Sequence, residues 1–140
     1  MWRTIGSVVA GLVTWAVVVT ILNFGLRAAI PGYHSAELAL RSAGLMQFTG
    51  PMEAGRLIEA ALTSLAAGAV VGWIDSSTKW VPWLVGAIVL AMFLPYHLTH
   101  WHLFPVWYHL SFLVPLVPLV ALGAALARGN GGEPEAATAS

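Results

Sequence analysis

Residues 80–127 read WVPWLVGAIVLAMFLPYHLTHWHLFPVWYHLSFLVPLVPLVALGAALA, a stretch of 48 residues without Lys, Arg, Asp or Glu. A helix needs about 20 apolar residues to cross a bilayer, so this stretch is long enough for two crossings. Pro82 and Pro105 stand at positions that favour the first turn of a helix. The sequence therefore predicts two antiparallel transmembrane helices, at about 82–101 and 105–127, joined by a tight turn.

The composition of the whole chain agrees with a location inside a membrane. Of 140 residues, 59% are hydrophobic and 9% are charged, which is too few charged side chains to cover a water-soluble domain. The chain has no cysteine, which excludes disulfides and thiolate metal sites. Six basic residues balance six acidic ones without a basic run, so nothing supports nucleic-acid binding. The lipid bilayer is the partner that the composition predicts.

Two further transmembrane helices precede this pair. Residues 4–26, between Arg3 and Arg27, carry no charge and predict the first helix. Glu59 and Asp75 enclose only 15 uncharged residues, about 22 Å of helix, which is shorter than the hydrocarbon core. The second helix must therefore begin near Pro51 and run over about 51–74. This placement puts Glu59 inside the membrane.

The expected fold is an all-α, four-transmembrane-helix bundle that forms a single transmembrane domain over residues 1–127. Residues 28–49, called loop 1, are the one long connection, and SAELALRSAGLMQF at 35–48 predicts a short interfacial helix capped by Ser35. The Gly-, Pro- and Glu-containing segment 128–140 predicts a disordered tail. Because the first apolar run exceeds the length of a signal-peptide core, we expect it to be retained as a membrane anchor.

Four of the five histidines lie in LPYHLTHWHLFPVWYHL at 94–110. We expect His97 and His109 at similar depth on adjacent helices, and His100 on the same face as His97. Together with Glu59 they are candidates for a metal, haem or proton-transfer site. No HExxH motif occurs, so neither the metal nor the cofactor is identified. The alternative is an aromatic belt at the lipid headgroups, formed with Tyr96, Trp101, Trp107 and Tyr108.

Glu59 also raises a question of its own, because an ionisable residue inside a span is costly and suggests a function. The alternative is structural. Arg56 lies one turn earlier and Glu53 lies three residues before Arg56, a spacing that favours ion pairs within one helix.

The second helix also carries a stripe of small residues at four-residue spacing: Ala60, Ser64, Gly68 and Gly72. Such stripes let helices approach closely. Ser64, Gly68 and Gly72 are therefore predicted helix-packing residues, either inside the bundle or against a second copy or a larger membrane complex.

The function that we expect first is a non-enzymatic accessory, assembly or self-associating membrane subunit. No phosphate-binding loop, dinucleotide fingerprint or nucleophile elbow occurs to support an enzyme. The alternatives are the His/Glu site described above and a small proton-coupled transporter.

Two segments, FPVWYHLSFLVPLVPLVALG at 104–123 and GSVVAGLVTWAVVVTILNFGLR at 6–27, resemble in layout a group of small four-helix integral membrane proteins of bacteria that have no assigned activity. The resemblance implies a bacterial inner membrane and transfers no catalytic residue. Basic residues do not set the orientation, because three flank each side of the predicted bundle. The amino-terminal amine adds to one side, so we expect both termini in the cytoplasm.

Overall fold

A computed structural model describes residues 1–129, and these residues form five α-helices and no strand. The helices are α1 (Trp2–Ala29), α2 (Tyr33–Ala43), α3 (Gly50–Ile74), α4 (Val81–Thr99) and α5 (Val106–Gly129). All except α2 are long and apolar enough to cross a membrane. The predicted all-α bundle with four membrane-spanning helices is confirmed. Most of the predicted disordered tail lies outside the described residues, whereas Arg128 and Gly129 belong to α5.

Prolines mark the starts of α3, α4 and α5, as predicted. Helix α3 carries Pro51 and Glu53 in its first turn and ends at Ile74, so that Glu59 lies within the span. Pro82 lies in the first turn of α4, and Pro105 directly precedes α5. Helix α4 ends at Thr99, two residues before the predicted end, and His100 is its C-terminal capping residue.

Loop 1 contains helix α2, which closes one end of the bundle. Gly32 and Gly44 flank α2 in the left-handed conformation, with φ of 78° and 62°, which is accessible to glycine at little cost. The prediction that Ser35 caps this helix is wrong, because Gly32 is the capping residue and the Ser35 hydroxyl donates to its carbonyl at 2.9 Å. The buried face of α2 joins a cluster with the α3 start and the α4–α5 turn, formed by Tyr33, Ala36, Leu40, Phe48, Met52, Phe104 and Tyr108.

The spanning helices form a ring in which α3 packs against α1 and α5, α5 packs against α4, and α4 meets α1 less closely than these pairs. The small-residue stripe of α3 lies against α5 of the same chain. A Cβ atom on Gly68 would stand 2.8 Å from the Val120 carbonyl carbon, and one on Gly72 would stand 2.7 Å from the Ala124 Cα. Ser64 is fully buried. The stripe therefore closes the bundle internally.

The end of the bundle opposite α2, where α1 begins and α5 ends, is held together around Asp75. Its carboxylate accepts hydrogen bonds from the Thr4 hydroxyl at 3.1 Å, the Ser77 hydroxyl at 2.9 Å and the Thr78 amide at 3.1 Å. Burial alone would raise the pKa of Asp75, but these hydrogen bonds outweigh it and lower the pKa to about 2. Arg128 donates to the Asp75 carbonyl at 3.1 Å. Asp75 thus has a structural role at this end, and the candidate site described below lies at the α2 end.

Candidate functional site

His97 and His109 form a buried pair between α4 and α5. Their Nδ1 atoms are 2.8 Å apart, and the side chains are 2% and 0% exposed. The positions follow from the tight connection between the two helices, which brings the end of α4 and the start of α5 to the same depth. Phe112 packs against His97 with ring centroids 4.5 Å apart, and Trp101 stacks on His109 at 4.4 Å and 11°.

The hydrogen bonds determine the tautomers of the neutral pair. The Trp101 carbonyl lies 3.2 Å from His109 Nε2, and a carbonyl only accepts, so His109 Nε2 carries the proton and donates it. His109 Nδ1 is then the acceptor for the Nδ1–H of His97. Both rings are therefore held in one directed chain that runs from His97 through His109 to the Trp101 carbonyl.

His100 does not join this pair. Its Nδ1–H donates to the Tyr96 carbonyl of its own helix at 2.8 Å, and its side chain is half-buried. In the described part of the chain, no three His, Asp or Glu side chains gather closely enough to hold a metal ion. His97 and His109 thus form one pair, whereas His100 and Glu59 make no hydrogen bond to it.

The aromatic residues of the α4–α5 turn divide between the interior and the surface. Tyr108 is 2% exposed and packs with the histidine pair, whereas Trp101 and Trp107 are 39% and 52% exposed. A headgroup belt therefore accounts for the two tryptophans and the exposed His102. It does not account for His97 and His109, which lie inside the bundle.

The expected ion pair between Arg56 and Glu59 is not formed. The ion pairs in residues 1–129 instead involve Glu37 of α2, whose carboxylate bonds Arg27 of α1 at 2.8 Å and Arg41 of α2 at 3.0 Å. The Arg56 guanidinium lies over the Phe48 ring, 5.0 Å from its centroid. Arg56 therefore carries a positive charge that no carboxylate within 4 Å balances among the described residues.

Glu59 lines a cavity of about 340 Å³ at the α2 end, which we call the α1–α3 cavity. Its apolar walls come from Trp15, Val19, Phe24, Phe93 and Phe112, and its polar groups from Thr20, Asn23, Arg27, Glu37, Arg41, Arg56 and Glu59. Thr20 and Phe24 are exposed on the outer face of α1. The cavity thus reaches the surface of the bundle where lipid would lie.

Three residues that line this cavity each have a buried polar atom without a hydrogen-bond partner among the described residues. The atoms are Trp15 Nε1, Arg56 Nε and Glu59 Oε1. Trp15 and Glu59 are 6% and 7% exposed. A buried polar group without a partner costs about 1–3 kcal/mol, and more when it is charged. Two donors and one acceptor of residues that line the cavity are therefore unpaired among the described residues.

A second cavity of about 380 Å³ adjoins the first and shares four lining residues with it: Glu37, Arg41, Arg56 and Phe93. Near the first cavity, Asn23 donates to the Tyr33 hydroxyl at 3.4 Å. Burial raises the pKa of Tyr33 to about 12, so this hydroxyl keeps its proton at neutral pH. Arg56 is the basic residue of α3 that faces both cavities.

Trp15, Arg27 and Glu37 belong to this site although the sequence alone did not predict it. The spacing of Glu37 and Arg41 at i and i+4 indicated an ion pair within α2. Nothing in the sequence indicated that α2 would fold back over Arg27, or that Trp15 would face inward. These placements depend on how the helices pack.

No known protein family, curated protein or solved structure matches this chain. The fold and the site are therefore interpreted from this chain's own residues.

Proposed function

We propose that this protein binds a small amphiphilic molecule inside the membrane, in the α1–α3 cavity. The observation that carries the proposal is that three residues lining one cavity, Trp15, Arg56 and Glu59, each have a buried polar side-chain atom without a hydrogen-bond partner among the described residues. Ligand sites in proteins combine apolar walls with a few polar groups, in volumes of about 300–1,000 Å³. The cavity has this composition, and its volume of about 340 Å³ lies at the lower end of that range.

The route of entry follows from the exposed residues at the cavity mouth. Phe24 is 62% exposed, and Arg27 lies 5.4 Å from the centroid of its ring. An apolar chain would leave the cavity beside Thr20 and Phe24, toward the lipid, while the polar head of the molecule stays near Arg56 and Glu59. This arrangement suits a carrier or sensor of a membrane-dissolved molecule.

The test is to block the mouth of the cavity. Thr20→Trp places a large side chain at the mouth, and the matched control Val17→Trp places the same side chain at an exposed position one turn away on α1. Wild-type protein and the control, washed extensively in detergent, should retain about one amphiphile per chain by mass spectrometry of an organic extract. Thr20→Trp should lose it. Equal amounts in all three proteins, or none in wild type, would refute the proposal.

A proton-transfer role for the His97–His109 pair is a second candidate. It is supported by the 2.8 Å contact between two buried imidazoles, side chains that can both donate and accept a proton. Proteoliposomes that enclose a pH-sensitive dye should then show a proton flux that His109→Phe abolishes and His102→Ala, in the exposed turn, leaves unchanged. A flux that is equal in both variants would exclude the pair. A Glu59→Gln variant tests whether the carboxylate takes part, as in a small proton-coupled transporter.

The proposal also covers the membrane in which the protein lies, its orientation and its association with other chains. We place the protein in a bacterial inner membrane with both termini in the cytoplasm, supported by the resemblance in layout and by the amino-terminal amine. A self-associating or accessory role stays a prediction, and it would require a surface other than Gly68 and Gly72, which face α5.

A further inference from the structure

We infer that the molecule bound in the α1–α3 cavity is an amphiphile whose head is an oxyanion with one negative charge, and that Arg56 is the residue that anchors it. This inference rests on the proposed function, since it names the chemical class of the ligand.

The first support is the difference between the three arginines of the cavity. Glu37 bonds both Arg27 and Arg41, at 2.8 and 3.0 Å. Arg56 has no carboxylate within 4 Å among the described residues, and its Nε is buried without a partner. A guanidinium can bind two oxygens of a phosphate or a carboxylate in a bidentate manner.

The second support is that Arg56 is already held in place. Its guanidinium lies 5.0 Å from the centroid of Phe48, which is itself 8% exposed and packed in the α2 cluster. A cation over an aromatic face is stabilised by the ring and loses less freedom when it binds an anion. Arg56 lines both adjoining cavities, so an anion bound there has room on either side.

The third support is the charge of the cavity lining. Three arginines and two glutamates line the cavity, so with both carboxylates charged the lining has an excess of one positive charge. An unbalanced charge within a membrane is costly, and one anionic group neutralises it. A head with two charges would leave an excess of one negative charge next to Glu59. The count therefore favours a phosphate diester or a carboxylate over a phosphate monoester.

Glu59 lies one turn deeper than Arg56 and sets the position of the head. A carboxylate repels an oxyanion, so the head stays at Arg56 while Glu59 Oε1 accepts a hydrogen bond from a neighbouring hydroxyl or water. The hydrocarbon chain then contacts Trp15, Val19 and Phe93 and extends toward the lipid.

The test measures binding of defined probes to delipidated full-length protein in an uncharged maltoside detergent. The probes with an anionic head are dioctanoyl-phosphatidylglycerol and dodecanoate. Dioctanoyl-phosphatidylcholine and dioctanoylglycerol carry the same chains as the first probe on a zwitterionic and a neutral head, and inorganic phosphate is the anion without a chain. We expect both anionic amphiphiles to bind at least tenfold more tightly than the other three. Equally tight binding of inorganic phosphate would overturn the assignment to an amphiphile.

Variants locate the site. Arg56→Gln should weaken binding of the anionic amphiphiles at least tenfold, and Arg56→Lys should retain part of it, because the charge remains while the bidentate geometry is lost. Lys79→Gln, with the same loss of charge at the opposite end of the bundle, should bind like wild type. Thermal unfolding of each variant shows whether it is folded. If Arg56→Gln does not fold, the binding measured for Arg56→Lys is the test.

The outcomes separate this inference from the proposed function. Equal affinity for the neutral dioctanoylglycerol and the anionic lipid, lost in Thr20→Trp, would leave an amphiphile site and refute the anionic head. Tight anionic binding that Arg56→Gln and Arg56→Lys do not change would refute the role of Arg56. Failure of every probe to bind, together with no molecule retained by the purified wild type, would refute both proposals.

Discussion

Replacement of Gly68 by alanine places a methyl group against the backbone of α5. The new Cβ would overlap the Val120 carbonyl oxygen and would lie 2.8 Å from the carbonyl carbon, whereas ordinary contact begins at 3.4 Å, so the two helices must separate locally by more than about 0.6 Å. Backbone atoms cannot rotate away as a side chain can. Overpacking of this kind lowers the free energy of unfolding by about 1–3 kcal/mol. The higher helix propensity of alanine raises it by about 1 kcal/mol.

A matched control isolates the packing cost. A Cβ atom on Gly25, in α1, meets nothing within 4 Å, so Gly25→Ala carries the propensity gain alone. The difference in unfolding free energy between the two variants should therefore equal the packing cost, about 1–3 kcal/mol, with Gly68→Ala the less stable. Unfolding by dodecyl sulfate in mixed micelles, followed by tryptophan fluorescence, measures it. Equal stability of the variants, with a change in oligomeric state for Gly68→Ala alone, would refute the internal role of the stripe.

Further outcomes are expected elsewhere in the bundle. Cysteine labels at Ser42 and Ser76 should react from opposite faces of the membrane, and reaction from the same face would contradict the placement of α3. Glu37→Gln should weaken both of its ion pairs, lower the local stability of α2 by about 1–3 kcal/mol and speed amide hydrogen exchange there but not in α4. His109→Phe leaves the Nδ1–H of His97 without its acceptor and should lower the unfolding free energy by about 1–3 kcal/mol, measured by the same titration. Asp75 contributes stability in full above its ordinary pKa of 3.8 and loses it as pH falls towards about 2. The unfolding free energy of Asp75→Asn should not show this loss between about pH 4 and about pH 2. If wild type and Asp75→Asn depend on pH in the same way over that range, the role given to Asp75 is wrong.

The sequence by itself determined the number and the approximate limits of the membrane-spanning helices. The reason is that a bilayer selects for length and for absence of charge, and both can be counted along one dimension. The 15 uncharged residues between Glu59 and Asp75 were too few for a span, so Glu59 had to enter the membrane. The short turn after α4 likewise placed His97 and His109 at similar depth. Two antiparallel helices joined by a short turn have residues at equal distances from the turn at the same depth in the membrane.

Only the tertiary structure decided which side of each helix faces its neighbours. A membrane helix is apolar on nearly all sides, so no polar stripe marks its inner face, and rotation is set by packing. That is why the sequence left open whether Gly68 and Gly72 serve the bundle or a partner, and why it grouped His100 with His97. Glu37 took the ionic role expected of Glu59 because α2 folds back over α1 and brings its carboxylate to Arg27. Arg56 and Glu59 were thereby left without an ion-pair partner among residues 1–129, a result that depends on contacts between helices rather than on any pattern within one of them.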